Sequence, residues 1–198
     1  MNPLPTPTVV FVPGLRDHVP DHWQTHLAAR LDGAVTVPPP EDARGSRDAQ
    51  VTALDTVLAA VPGPVVLVAH SAGVHTTVHW AARHHRPVHG ALLATPPDFG
   101  TPLPDGHPDP ATLRANGWLP TPTGPLLFPS IVAASTNDPL ARFDRVAALA
   151  RAWGSRLVDV GPVGHLNPAS GHGAWPRALD LLRDLGCRTP ARDPKASA

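Results

Sequence analysis

Val65-Val66-Leu67-Val68-Ala69-His70-Ser71-Ala72-Gly73 is an apolar, largely β-branched run that stops abruptly at a serine. The serine stands between a small residue two places before it and a glycine two places after it. That is the pattern of a nucleophile elbow, a strand-to-helix turn that lifts a serine hydroxyl clear of the backbone. Such a turn forces the serine to positive φ and crowds its neighbours, so the flanking Cβ atoms must be small or absent. Ala69 occupies the first small position, where glycine is commoner, and alanine is the next smallest choice. The stretch after Ser71 has helical character, completing a strand–turn–helix unit.

Further runs of the same kind lie on both sides. Thr8 to Val12, Gly90 to Ala94, Ser130 to Ala134 and Leu157 to Val160 read as buried strands, with Val35 to Val37 a weaker sixth. Continuous apolar character, rather than alternation, is what a parallel sheet covered on both faces demands. Between the strands, Val51, Leu54, Leu58 and Val61 recur at helical spacing, which predicts a helix over 47–60. Leu140, Phe143, Ala147, Ala150 and Trp153 do the same over 140–153, with Gly154 as a stop. A last helix is expected from near Trp175, with Pro176 in its first turn, to near Gly186. Alternating strands and helices imply a three-layer α/β/α fold around a mostly parallel sheet of about six strands, with right-handed crossovers and no large cap domain.

The 198 residues suit one domain, assigned to 1–186, with a flexible tail from Cys187 to Ala198. One segment breaks the rhythm. Residues 96–129 hold ten prolines and no clear period apart from a short helix at Pro110 to Ala115. Its apolar residues, among them Phe99, Leu103 and Trp118, point to an ordered wall near the carboxyl ends of the strands, where open α/β sheets bind ligands. A plain surface loop is the alternative.

Net charge is zero, so there is no basic footprint for nucleic acid or an anionic membrane. No run approaches the roughly 18 apolar residues of a membrane span, and the first residues lack the basic and apolar regions of a signal peptide. The lone cysteine, Cys187, fits a reducing compartment, and the expected location is cytoplasmic. Lys195 is the only lysine, a bias that fits GC-rich coding.

A serine hydroxyl needs an adjacent base, itself oriented by a third group. Ser135-Thr136-Asn137-Asp138-Pro139 follows one strand and Gly164-His165-Leu166-Asn167 follows the last. The chain order Ser71, Asp138, His165 is that of α/β-hydrolases, and all three can meet at the carboxyl edge of a parallel sheet. Asp138 before Pro139 also suits a helix N-cap, and His165 an ordinary loop. Asp144 and Asp159 are poorer candidates, one within a helix and one within a strand. An oxyanion site needs two fixed donors. The backbone N–H of Ala72 is one; Leu15 is the choice for the other, with Gly14 the alternative, because Pro13 has no N–H. Gly14, His70 and Trp118 are further candidates for the substrate pocket, and Asp17 and His18 lie in the same loop as Leu15.

Twelve histidines invite a metal reading. His75 and His79 stand at i, i+4 on the helix after Ser71, but no glutamate lies between them and no third ligand is evident, so no metal or other cofactor is expected. His84 and His85 would close that helix, where cationic side chains favour its dipole.

With these residues together, the chain resembles the small α/β serine hydrolase family that includes the retinoblastoma-binding serine hydrolase and many bacterial relatives. The resemblance runs over most of residues 8–186. It rests on Val12-Pro13-Gly14 with Asp21-His22-Trp23-Gln24, on Ala69-His70-Ser71-Ala72-Gly73, and on Asn137-Asp138-Pro139. Gly164-His165-Leu166-Asn167 followed by Ser170-Gly171-His172-Gly173-Ala174-Trp175-Pro176 completes it. It implies Ser71, Asp138 and His165 as a triad, a sheet lacking the first strands of larger hydrolases, and esterase-like hydrolysis of small acyl substrates without a cofactor. Trp23 is expected to pack near the first helix and the floor of the site. A short-chain ester is the expected substrate. A protein-binding module with little turnover, or an acyltransferase or perhydrolase using the same residues, are the alternatives.

Overall fold

Alternate residues of each central strand face opposite ways, and both directions are apolar. Val10, Leu67, Leu93 and Val132 enter one buried cluster, and Phe11, Val68, Leu92 and Ile131 enter another. A strand buried on both faces has no polar positions, which is why the runs are continuous. The computed structural model describes residues 6–15, 19–84 and 86–187.

Six strands, β1 (Thr8–Val12), β2 (Val35–Thr36), β3 (Val65–His70), β4 (Gly90–Ala94), β5 (Ser130–Ala134) and β6 (Arg156–Asp159), form one parallel sheet in the order β2-β1-β3-β4-β5-β6. Helices α2 (Arg47–Ala60), α3 (Ala72–Ala81) and α5 (Phe143–Ala152) supply the first cluster with Leu54, Val78 and Ala150. Helices α1 (Trp23–Arg30) and α6 (Arg177–Asp184) supply the second with Leu27 and Leu182. This is the expected three-layer α/β hydrolase architecture, with the short α4 (Pro110–Ala115) inside the Pro-rich segment. Because β2 and β3 flank β1 on opposite sides, strand order reverses between β1 and β3, and the crevice beyond their carboxyl ends is where such sheets hold ligands.

Boundaries shift for local reasons. The helix expected over 140–153 starts only at Phe143, because Leu140 N–H is taken by the Asp138 carboxylate and Arg142 is extended at ψ 143°. Gly154, at φ 66°, ends it as expected. Strand β6 starts one residue early, since Arg156 pairs with Ile131 at the sheet edge, where an exposed side chain costs nothing. His84 lies beyond the end of α3 rather than in its last turn; its ring stacks on Trp80 and its Nδ1 is 3.1 Å from Asp55. Cys187, expected to begin a tail, is instead fully buried in the second cluster, and its N–H donates to Leu182 O. Asp17, His18, His85 and the tail beyond Cys187 lie outside the described residues. No helix among the described residues is long and apolar enough to cross a membrane.

His75 and His79 serve the Pro-rich segment. His75 Nε2–H donates to Pro97 O at 2.8 Å, and His79 Nε2–H donates to Trp118 O at 3.1 Å. Each ring thus satisfies a carbonyl of a chain that proline leaves short of regular partners. Burial pushes the His75 pKa down from 6.5 to about 4, against a raising contribution from its Pro97 bond, with His79 lowering it and Asp98 raising it further. Burial also lowers the pKa of His79. The unfolded chain therefore binds protons that the fold refuses, and stability is expected to fall as pH drops from 6.5 toward 4. His75 alone contributes on the order of 3 kcal/mol to that loss. Urea unfolding at pH 7.5 and 4.5 measures it. The loss is expected to shrink in His75→Gln, and equal stability at the two pH values would contradict the assignment.

Candidate active site

Ser71 follows β3 directly and caps α3 in a strained conformation, φ 56° and ψ −130°. Such a backbone costs about 1–3 kcal/mol and persists only where the surroundings over-determine it. Here they do. A Cβ at Gly73 would overlap Val12 O and stand 2.5 Å from Pro13 O, so only glycine lets α3 start this close to the end of β1. A Cβ at Gly14 would come within 3.1 Å of Ser71 Cβ, which shows how near the β1 loop lies to the serine. Ala69 pairs with Val12 in the sheet and is fully buried. The Ser71 side chain makes no cap bond to α3 and is left for another partner.

That partner is His165, whose Nε2 is 2.8 Å from Ser71 Oγ. On the other side of the ring, Nδ1 lies 2.9 and 3.1 Å from the two oxygens of Asp138. A carboxylate only accepts, so Nδ1 carries the proton and Nε2 is left to accept the serine hydroxyl. The Asp138 side chain is 2% exposed and that of His165 7%, so the pair is shielded from water.

The loops carrying these two residues are bound to each other. Asn137 Oδ1 accepts from Gly164 N–H at 2.6 Å and from Ser135 Oγ at 3.0 Å, and Thr136 N–H donates to Gly161 O. Ser170 Oγ accepts from His165 N–H at 3.0 Å and in turn donates to Asn167 Oδ1. Gly164 sits at φ 58°, and a Cβ there would be 2.5 Å from Ser170 Oγ. The glycine before His165 and the asparagine after it are thus both steric and hydrogen-bonding requirements of one turn.

Residues 9–184 match the model of a protein family described as serine hydrolase. The chain belongs to the serine hydrolase family. A YdeN-like hydrolase of Pectobacterium atrosepticum is 31% identical with a TM-score of 0.78, over 91% of this chain and 90% of that one. The ydeN gene product of B. subtilis is 21% identical with a TM-score of 0.69, covering 91% of this chain and 99% of that one. Est1E of Butyrivibrio proteoclasticus, 11% identical, shares the fold with a TM-score of 0.67 over 94% and 91% of the two chains. A search of curated proteins found no match.

In this hydrolase, Ser71 and His165 line a cavity of about 450 Å³. Leu15 and Val19 reach it from the β1–α1 connection, Phe99 and Leu103 from the Pro-rich segment, and Leu140 from the loop after Asp138. None of its described lining residues is Asp, Glu, Lys or Arg. Gly14, His70 and Ala72, all singled out from sequence, line it as well.

Trp118 does not. It is 1% exposed and lies in a small cluster with Ala72, Phe99 and Leu113, its indole N–H donating to Gly45 O at 2.7 Å. It backs Phe99, which fronts the cavity, so the expectation that Trp118 itself faces a substrate is corrected.

His70 has a second role in the hydrolase. Its Nε2–H donates to His165 O at 2.9 Å, tying the residue before Ser71 to the backbone of His165. Burial, reinforced by the His165 and His22 rings, holds its pKa well below the ordinary value. A neutral His70 places no positive charge beside the His165 ring, 5.0 Å away between centroids. Trp23 packs edge-on to Trp175 and His70, with centroids 5.0 and 6.0 Å away, beneath the site as expected. Gln24, which carried no expected role beyond the resemblance, donates from Nε2 to Val68 O at 2.9 Å and reaches Val12 O at 3.4 Å, bridging β1 and β3 at the reversal point.

Proposed function

We propose that this hydrolase cleaves small, uncharged, short-chain carboxylic esters through an acyl-enzyme on Ser71. The observation that carries this is the continuous Ser71–His165–Asp138 chain of contacts, 2.8 and 2.9 Å long, opening into a cavity without charged lining among the described residues. Its volume of about 450 Å³ lies toward the small end of ligand pockets.

His165 Nε2 takes the Ser71 proton as Oγ attacks the ester carbonyl carbon, and Asp138 accepts from Nδ1–H and stabilises the imidazolium. Charge collects on the former carbonyl oxygen, which meets the backbone N–H groups of Ala72 and Leu15, with Gly14 the alternative second donor. Each such donor is worth about 2.7–4 kcal/mol in the transition state. As the tetrahedral intermediate collapses, His165 returns the proton to the departing alcohol oxygen. A water then uses the same base to release the acid and restore Ser71. Every proton moved is carried by His165, so no cofactor enters the cycle.

The partner is a small-molecule ester, and the cellular setting expected from the sequence is the cytoplasm. A p-nitrophenyl ester series tests the assignment. Turnover of the acetate and butyrate that disappears in Ser71→Ala supports it, and turnover unaffected by that change rejects it.

A further inference from the structure

The two histidines of α3 play no part in the cycle above, yet both are turned toward the wall of the cavity. We propose that Phe99 sets the length of acyl chain the cavity admits, and that His75 is the positioning residue that holds Phe99 in place. The inference rests on the esterase reading of Ser71.

The acyl side of the cavity follows from the chemistry. The departing oxygen must lie where His165 Nε2 can protonate it; Asn167, Pro168 and Ala169, which follow His165 closely in the chain, line the same cavity. The carbonyl oxygen must lie against Ala72 and Leu15. The acyl chain leaves the carbonyl carbon away from the departing group, and Phe99 and Leu103 are the apolar cavity residues that share a packing cluster with the oxyanion donors. Ala72 is buried in one cluster with Phe99, and Leu15 and Leu103 pack against that cluster. Phe99 is only 3% exposed, and what it exposes fronts the cavity.

Phe99 is braced from several directions. The His75 ring stacks on it with centroids 4.1 Å apart and planes 20° from parallel, while His75 Nε2–H holds Pro97 O at 2.8 Å. Trp118 meets it nearly edge-on at 5.7 Å, and Trp118 O is itself held by His79. Between Pro97 and Phe99, the Asp98 carboxylate accepts from Arg145 Nε at 2.8 Å and Asp98 N–H donates to Leu140 O at 3.0 Å. Swinging the ring aside for a long chain would therefore cost its stacking on His75 and its edge contact with Trp118, while the backbone on either side of it is pinned at Pro97 and Asp98. His75 stands four residues after Ser71 on the same helix, so nucleophile and size limit are set on one rigid element.

The test is the ratio of kcat/KM for p-nitrophenyl octanoate to that for the acetate, measured on wild type, Phe99→Ala, Phe99→Leu, His75→Leu and His75→Gln. Wild type is expected to favour the acetate. Phe99→Ala raises the octanoate-to-acetate ratio by on the order of 10-fold or more, and Phe99→Leu raises it less. His75→Leu, which loses the donor to Pro97 O, moves the ratio the same way. His75→Gln, whose amide N–H reaches the same carbonyl, brings it back toward wild type. A role confined to stability would lower both rates together and leave the ratio unmoved. An unchanged ratio in both Phe99 variants, with Ser71-dependent turnover intact, overturns this inference and leaves the esterase reading standing. Absence of Ser71-dependent turnover with every ester, wild type included, overturns both.

Discussion

Replacing Ser71 with alanine is expected to lower kcat for p-nitrophenyl acetate by about a million-fold while the protein stays folded. The size of the loss follows from Ser71 being the proposed nucleophile. Without Oγ, His165 has nothing to activate but water, and loss of a serine nucleophile elsewhere costs about 10⁶ in kcat. Retention of the fold follows from the geometry. Oγ caps no N–H of α3, so deleting it removes one contact, to His165 Nε2 at 2.8 Å, and no helix-start bond. Alanine inherits the same strained φ of 56°, so the backbone cost is unchanged. Thermal unfolding within a degree or two of wild type, together with the rate loss, separates removal of a nucleophile from collapse of the site.

Asp138→Asn is expected to reduce kcat about ten-thousand-fold with little change in KM. Asp138 Oδ1 accepts from Leu140 N–H at 2.8 Å, a bond that the amide oxygen of asparagine keeps. The amide nitrogen then takes the place of Oδ2, 2.9 Å from His165 Nδ1. Being a donor, it forces Nδ1 to accept and moves the ring proton to Nε2, where it faces Ser71 Oγ. The base is then present, correctly placed and in the wrong tautomer. Asp138 does not line the cavity, so substrate binding is left largely intact. Steady-state kinetics on wild type and variant read both constants. A fall in KM comparable to that in kcat, or a kcat loss below tenfold, would remove Asp138 from its proposed role.

Much of the fold and of the candidate site was legible because the determinants are local. A buried parallel strand must be apolar on both faces, so β1, β3, β4 and β5 announce themselves as unbroken runs. The elbow is equally local, since the positive φ at Ser71 and the crowding of Gly73 against Val12 and Pro13 arise within one turn. Asp138 and His165 could be placed together because each follows a strand of the same sheet. Trp118 could not be placed, because its position depends on His79 and Gly45, far away in the chain. His75 and His79 show the same limit. At i, i+4 they suggest a shared ligand, yet each is bonded to a different carbonyl of a proline-rich segment whose path has no periodicity to read. Composition alone puts Cys187 in a tail, while the Leu182 carbonyl and the apolar layer beneath α6 draw it inside.

The most direct test of the central claim is the mass of the full-length protein after exposure to a fluorophosphonate, followed by peptide mapping. A reagent of this class reacts with a serine whose proton is being removed, and the 2.8 Å contact with His165 singles out Ser71 for that attack. One adduct per chain is expected, mapped to Ser71, absent in Ser71→Ala and much slower to form in Asp138→Asn. An unlabelled wild-type protein under conditions that label a control esterase, or an adduct on any other residue, would contradict it.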